Sequence, residues 1–162
     1  MKELSSEDQR HLEAAEGWLG LGNLAEARKE LEELSPPSGT HPAVLEVRWQ
    51  LLAAEGQWEE CLDIAACMVQ SRPERALGWV HRSYCLHELK RTAEARDNLL
   101  QVVETFAEDP ILRYNLACYE CQLGRLTEAK RWLRQAFALG DAQSIRATAL
   151  GDRDLKPLWE QI

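Results

Sequence analysis

The chain has 162 residues, 45% of them apolar, which is enough for the core of one compact domain or one short solenoid and short for two independent domains. Its formal net charge of −8 disfavours nucleic acid as a partner, because binding to a phosphate backbone depends on clustered lysine and arginine. The polar, acidic first residues lack a secretory signal, and no apolar stretch approaches the roughly 20 residues of a membrane span, so we expect neither export nor membrane insertion.

The number and placement of the cysteines indicate the redox environment of the protein. There are five, an odd number, and they are scattered within helical patterns, mostly beside apolar residues. This usage is typical of small reduced side chains in the cytoplasm, not of a disulfide framework. We therefore expect free thiols and a cytoplasmic protein.

Helix caps and prolines divide the first half of the chain. Ser5 or Ser6, followed by acidic residues, predicts the start of a helix that runs to about Gly20, and Asn23 predicts the cap of the next helix. The stretch 35–42 predicts a linker, because each of its prolines lacks an amide donor and clashes with the preceding turn.

In the second half, Pro110 is predicted at a first helical position and Pro73 in a turn between helices. Gly140 and Asp141 predict a helix end followed by a new cap, and we expect the apolar residues 155–162 to fold back over the last hairpin. No alternating pattern predicts a strand. The predicted helices span about 6–20, 24–34, 42–55, 58–71, 75–89, 92–106, 110–123, 126–139 and 142–150.

One register recurs four times with an offset of 34 residues. Its copies are Leu21–Ala27, Glu55–Cys61, Leu89–Ala95 and Leu123–Ala129. In each copy a glutamate precedes a small residue, and an apolar residue follows four positions later on the same helical face. The small residues are Ala27, Cys61, Ala95 and Ala129, and their apolar neighbours are Leu31, Ala65, Leu99 and Leu133. A fixed period of this length predicts stacked helical hairpins, which cannot bury their apolar faces singly.

The period, the small residues and Trp79, which opens the third copy, together resemble tetratricopeptide repeats over about residues 8–140. The resemblance implies an all-α fold, an α-α superhelix (solenoid) of four helix-turn-helix repeats with a C-terminal capping helix, in a single domain 1–162. The expected repeats cover about 8–41, 42–75, 76–109 and 110–140, followed by the capping segment 141–162.

The closing segment is similar to the terminal unit of small stand-alone bacterial proteins of this repeat class, whose roles are mostly undefined. The residues that carry this likeness are Tyr114–Tyr119, Leu123, Gly124 and Asp154–Trp159.

Other positions depart from the family pattern. Trp49 stands where a small residue is usual, and Arg48 and Arg82 stand where leucine is usual. We therefore expect the second and third hairpins either to splay or to satisfy these guanidinium groups with carboxylates or carbonyls.

The resemblance implies a function in binding, because the first helix of each repeat lines a concave groove that holds another polypeptide. We expect an adaptor or chaperone-like module, not an enzyme, without a cofactor. The expected partner-binding residues are Gln50, His81, Tyr84, His87, Tyr114, Asn115, Cys118 and Gln122, with Glu13, Glu16, Glu46 and Val47 also facing the groove. Tyrosines are effective anchors because they bury a large area with few rotatable bonds, although some of these could instead pack between repeats.

Family members that hold acidic chaperone tails clamp carboxylates with cations. The matching positions here read Leu12, Glu16, Val47, Leu77 and His81. These side chains offer an acidic tail almost no positive charge, so we expect a neutral or basic peptide as the partner.

Other classes of function rest on few residues. Cys118 and Cys121 have a metal-ligand spacing, and His81 and His87 lie on a neighbouring helix, but histidines six residues apart on a helix point away from one another. The same cysteines in mid-helix lack the helix N-terminus that activates redox thiols, and a pairing of Cys118 with His87 lacks an oxyanion element. A structural alternative is self-association through Trp159, Ile162 or the exposed face of the first helix.

Overall fold

The computed structural model describes residues 3–162 and divides into two compact units, with the boundary between Ser71 and Arg72. The first unit contains α1 (Ser6–Gly20), α2 (Leu24–Glu32), α3 (Pro42–Ala54) and α4 (Trp58–Ser71), with a 3-10 helix at Pro36–Thr40. The second contains α5 (Ala76–Glu88), α6 (Thr92–Leu100), α7 (Pro110–Gln122), α8 (Leu126–Leu139) and α9 (Ala142–Gly151), followed by a 3-10 helix at Arg153–Gln161. Residues 3–162 include no strand and no helix with the length and apolar character of a membrane span.

The first unit consists of two antiparallel hairpins. Helix α1 packs on α2 and α3 packs on α4, and both α1 and α2 contact α3. Their core is built from the apolar faces that the sequence predicts. It includes Leu12, Ala15, Ala27, Leu31, Leu34, Val44, Val47 and Leu51.

A buried carboxylate fixes the start of α1 to the proline-rich linker. Asp8 accepts hydrogen bonds from the Ser35 amide at 2.8 Å and from the hydroxyls of Ser5, Ser35 and Ser38 at 2.7–2.8 Å. The bond from the Ser35 amide, followed by those from the hydroxyls, holds the pKa of Asp8 well below its ordinary value of 3.8. This cluster orders a linker in which prolines prevent a continuous helix.

The first helix of every hairpin ends in the same way. A residue with positive φ follows the helix and donates to the carbonyl three positions earlier, and the next amide donates to the carbonyl five positions earlier. The left-handed residue is Gly22, Gly56, Lys90 or Gly124 in the four hairpins. This repeated helix end turns the chain back so that the second helix packs against the first.

The small residues of the 34-residue register occupy the closest approach between paired helices. All four have no exposed surface, and the apolar residues four positions later are 0–5% exposed. The matching position on the first helix is also fully buried in three hairpins, where it is Ala15, Ser83 or Ala117. Trp49 fills this position in the other hairpin and stays partly exposed, with its carbonyl 3.7 Å from the Cys61 thiol.

In the second unit α5 packs on α6 and α7, α7 packs on α8, and α8 packs on α9. The last 3-10 helix then returns across α7 and also touches α8 and α9, which agrees with the predicted return of the apolar C-terminal residues. We call residues 152–162 the tail segment.

Two helices end earlier than predicted. Helix α2 stops at Glu32, and α6 stops at Leu100, followed by turns through residue 108. The run after α6 contains the β-branched Val102, Val103 and Thr105, which lower helix propensity. The buried Arg113 guanidinium also binds the carbonyls of Phe106 and Asp109 at 3.3 Å, which stabilises the turn conformation. The single-domain organisation expected from the sequence stays a prediction.

Candidate partner-binding face

The eight residues expected to contact a partner fall on three helices. Gln50 lies on α3 in the first unit, where it is exposed and its amide donates to Glu46 at 2.9 Å. The other seven lie on α5 and α7 in the second unit. We call the surface formed by these seven residues the α5–α7 face. Val47, in contrast, is 1% exposed in the core of the first unit, so its expected place in a groove is wrong.

The three α5 residues differ in exposure. Tyr84 is 40% exposed, whereas His81 is only 9% exposed and the His87 side chain only 12%. Burial of Tyr84, followed by the charge of Glu88 and a hydrogen bond to it, raises the pKa of the Tyr84 hydroxyl. Tyr84 is therefore the aromatic residue of this face that is most open to another molecule.

The tail segment covers much of the α7 part. The Tyr114 hydroxyl donates to Asp152 Oδ2 at 2.7 Å, and the Cys118 thiol donates to the same oxygen at 3.5 Å. Burial is the largest cause of the raised pKa of both groups, and the Asp152 carboxylate adds to it. Both groups therefore stay protonated at neutral pH and act as donors to the tail.

A second set of contacts joins the tail to α5 and to the end of α7. His87 Nε2 lies 2.9 Å from Asp154 Oδ2, and its Nδ1 lies 3.0 Å from the Thr92 hydroxyl. Because a carboxylate only accepts, Nε2 carries the proton in this contact. The Gln122 amide donates to the Asp154 carbonyl at 2.8 Å, so the face recognises main chain as well as side chain of the tail.

Apolar residues anchor the remainder of the tail. Leu155 is fully buried and Leu158 is 1% exposed. The Trp159 indole donates to the carbonyls of Ala149 and Asp152 at 3.0 and 3.1 Å, which ties the tail segment to α9 as well as to its own first residue. The tail segment is thus a packed polypeptide ligand of α7, held in cis.

Behind the face, Ser83 and Tyr119 form a buried polar pair. Their hydroxyl oxygens lie 3.1 Å apart, and the Ser83 hydroxyl also contacts the Val80 carbonyl at 2.8 Å. The Tyr119 ring lies 5.1 Å from the His87 ring between centroids. This arrangement fixes the orientation of His87, and with it the position of Asp154.

The cysteines and histidines of the face do not form an activated thiol site. Burial raises the pKa of both Cys118 and Cys121, which weakens them as nucleophiles. Across residues 3–162, no group of three or more His, Cys, Asp and Glu side chains is arranged to hold a metal ion. All five cysteines are free thiols.

Sequence reasoning assigned no contact with the face to Asp152 or Asp154. The apolar character of residues 155–162 predicts that the tail returns to the last hairpin, but not which polar groups it meets. One sequence signal was available for Asp152, because an aspartate directly after the glycine that ends α9 is typical of a helix cap. In the structure Asp152 caps the next turn by accepting a hydrogen bond from the Asp154 amide at 2.9 Å.

Comparison with solved structures decides the fold. A thermophilic tetratricopeptide repeat protein of Thermus thermophilus is similar over 95% of this chain and 82% of its own, with a TM-score of 0.77 and 19% sequence identity. The chain has the all-α fold of tetratricopeptide repeat proteins. MamA residues 41–end from Desulfovibrio magneticus is similar over 98% of this chain and 92% of its own, with a TM-score of 0.72 and 18% identity. No protein-family model and no curated protein sequence matches the chain.

Proposed function

We propose that the protein is an adaptor or chaperone-like module that binds a peptide or helix of another protein at the α5–α7 face. The tetratricopeptide repeat fold supports a role in protein interaction or as a scaffold in general. One observation supports placing the binding site at this face. The face already binds a polypeptide, because its side chains contact the carboxylates and the main chain of the tail segment.

The charge around Tyr84 favours a neutral or basic partner. After burial, the charges of Glu88, Asp154 and Asp152 all contribute to the raised pKa of Tyr84, so the electrostatic surroundings of this residue are negative. A lysine or arginine side chain gains both from these charges and from the face of a tyrosine ring. An acidic segment is repelled at the same place while the tail segment is docked.

A substitution of Tyr84 tests this proposal. Tyr84→Ala should weaken capture of the natural partner about 10-fold or more, because a tyrosine at a well-packed interface contributes about 2 kcal/mol. Leu126→Ala is the matched control, since Leu126 is similarly exposed, at 37%, but lies on α8. Both variants should keep the helical circular dichroism spectrum. Equal capture by Tyr84→Ala and the unaltered chain would remove Tyr84 from the interface.

Self-association is the second candidate function, and an apolar surface at the start of α7 favours it. Ile111 is 54% exposed at the start of α7, beside a cleft of about 190 Å³ that Pro110, Tyr114, Ile145 and Thr148 also line, so this surface adjoins the α5–α7 face at Tyr114. Light scattering at micromolar concentrations should detect dimers if this surface joins two copies, and Ile111→Ser should dissociate them. A monomer at every concentration would eliminate this candidate.

A further inference from the structure

We propose that the tail segment is a detachable cover over the α7 part of the partner-binding face, so that a partner reaches Tyr114, Cys118 and Gln122 only after the cover lifts. The inference rests on the proposed function. It deepens that function by dividing the face into an open part at Tyr84 and a covered part on α7.

The covered part is defined by contacts. Tyr114, Cys118 and Gln122 each donate to the tail segment, through Asp152 or the Asp154 main chain. Cys118 is only 4% exposed with the tail segment in place, whereas Tyr84 on α5 is 40% exposed. One molecule therefore presents two kinds of surface on neighbouring helices.

The construction of the tail segment favours separate opening. It is a 3-10 helix with Pro157 inside, and the amide-to-carbonyl bonds of a 3-10 helix have poorer geometry than those of an α-helix. Its buried apolar side chains are Leu155 and Leu158, and the Trp159 indole adds a hydrogen bond to α9, whereas the paired helices α7 and α8 bury many more apolar residues between them. Elements with few buried apolar contacts open without global unfolding.

The polar contacts also suit reversible docking. The donors on the face are a phenol, a thiol, an amide and an imidazole, all of which water can satisfy when the tail segment leaves. The chain tethers the tail segment next to α7, which keeps its effective concentration high. The cover therefore closes again quickly and gives way only to a ligand that competes for the same surface.

Cysteine labelling of the full chain tests the proposal without any partner. Cys118 lies under the tail segment, and Cys85 is a fully buried internal control on α5. With a maleimide reagent and detection of each cysteine by mass spectrometry, we expect Cys118 to react on the order of 100-fold faster than Cys85 in the absence of denaturant. Equal rates, with the same dependence on denaturant, would show that the tail leaves only on global unfolding and would overturn the proposal.

Two tail variants provide a second, matched comparison. Leu158→Ala removes an anchor and should speed Cys118 labelling at least about 10-fold without changing Cys85 labelling. Glu160→Ala alters an exposed residue of the same helix and should leave both rates unchanged. If Leu158→Ala speeds both cysteines equally, the tail is part of the global core and the cover is refuted. Because labelling needs no partner, its failure is distinguishable from a failure of the Tyr84 test.

Discussion

At the scale of single residues, Lys90 adopts the left-handed backbone conformation that a glycine adopts at the same position of the other three hairpins. Its φ is 63°, whereas Gly22, Gly56 and Gly124 have φ of 72–75° at the same place. A left-handed backbone costs a non-glycine residue about 1–2 kcal/mol, and glycine costs roughly 0.5–1 kcal/mol in lost chain entropy. The third hairpin therefore contains a local strain that the helix end imposes.

Lys90→Gly should relieve this strain. We expect the free energy of unfolding to rise by about 0.5–1 kcal/mol, measured by urea denaturation. Gly124→Ala is a control that introduces the same strain into the fourth hairpin. The added Cβ meets no atom within 4 Å, so only the positive φ disfavours the alanine. That control should destabilise the protein, and a gain in stability from both changes would contradict this account of the turn.

Asp8 makes stability depend on pH in a definite direction. Because its pKa is lowered in the folded chain, its contribution is fully present above the ordinary value of 3.8 and is lost as the pH falls through the folded pKa. Asp8→Asn should lower the melting temperature at pH 7, and the difference from the unaltered chain should shrink below about pH 4. The exposed neighbour Glu7, changed to Gln, should leave the melting temperature at pH 7 unchanged. A difference that stays constant down to pH 2 would contradict the hydrogen-bonded carboxylate.

At the scale of helices, the hairpin register could be predicted from the sequence because spacing alone decides which face is buried. A small residue one turn before an apolar residue marks the contact between paired helices, and all four such pairs are buried. Helix ends were harder to predict. The turn after α6 is stabilised by Arg113, a residue of the next helix that binds two of its carbonyl groups, and no local pattern predicts this contact.

Ala129→Glu tests the register directly. Ala129 is fully buried on α8, and a glutamate there would force a charge between α7 and α8, so we expect a loss of about 3–5 kcal/mol in urea denaturation. Ala138→Glu lies on the exposed side of the same helix and should change stability by less than about 0.5 kcal/mol. Similar effects from the two substitutions would mean that the helix is rotated from its assigned face.

At the scale of the whole molecule, the candidate site was predicted only in part. The sequence placed His87, Tyr114, Cys118 and Gln122 on one face, but not the tail carboxylates that they meet. Asp152 lies 38 residues from Tyr114, and Asp154 lies 67 residues from His87, so no local pattern connects them. Such contacts arise from the return of the chain across α7, which sets how much of the face stays open.

The central claim is that the α5–α7 face binds a partner polypeptide. The most direct measurement is photo-crosslinking in the native cell with a benzophenone amino acid at position 84 or, as a control, at the exposed position 93 on α6. We predict that position 84 gives a discrete adduct with another protein and that position 93 gives none. Adducts at position 93 but not at position 84, or no adduct at either position, would contradict the claim.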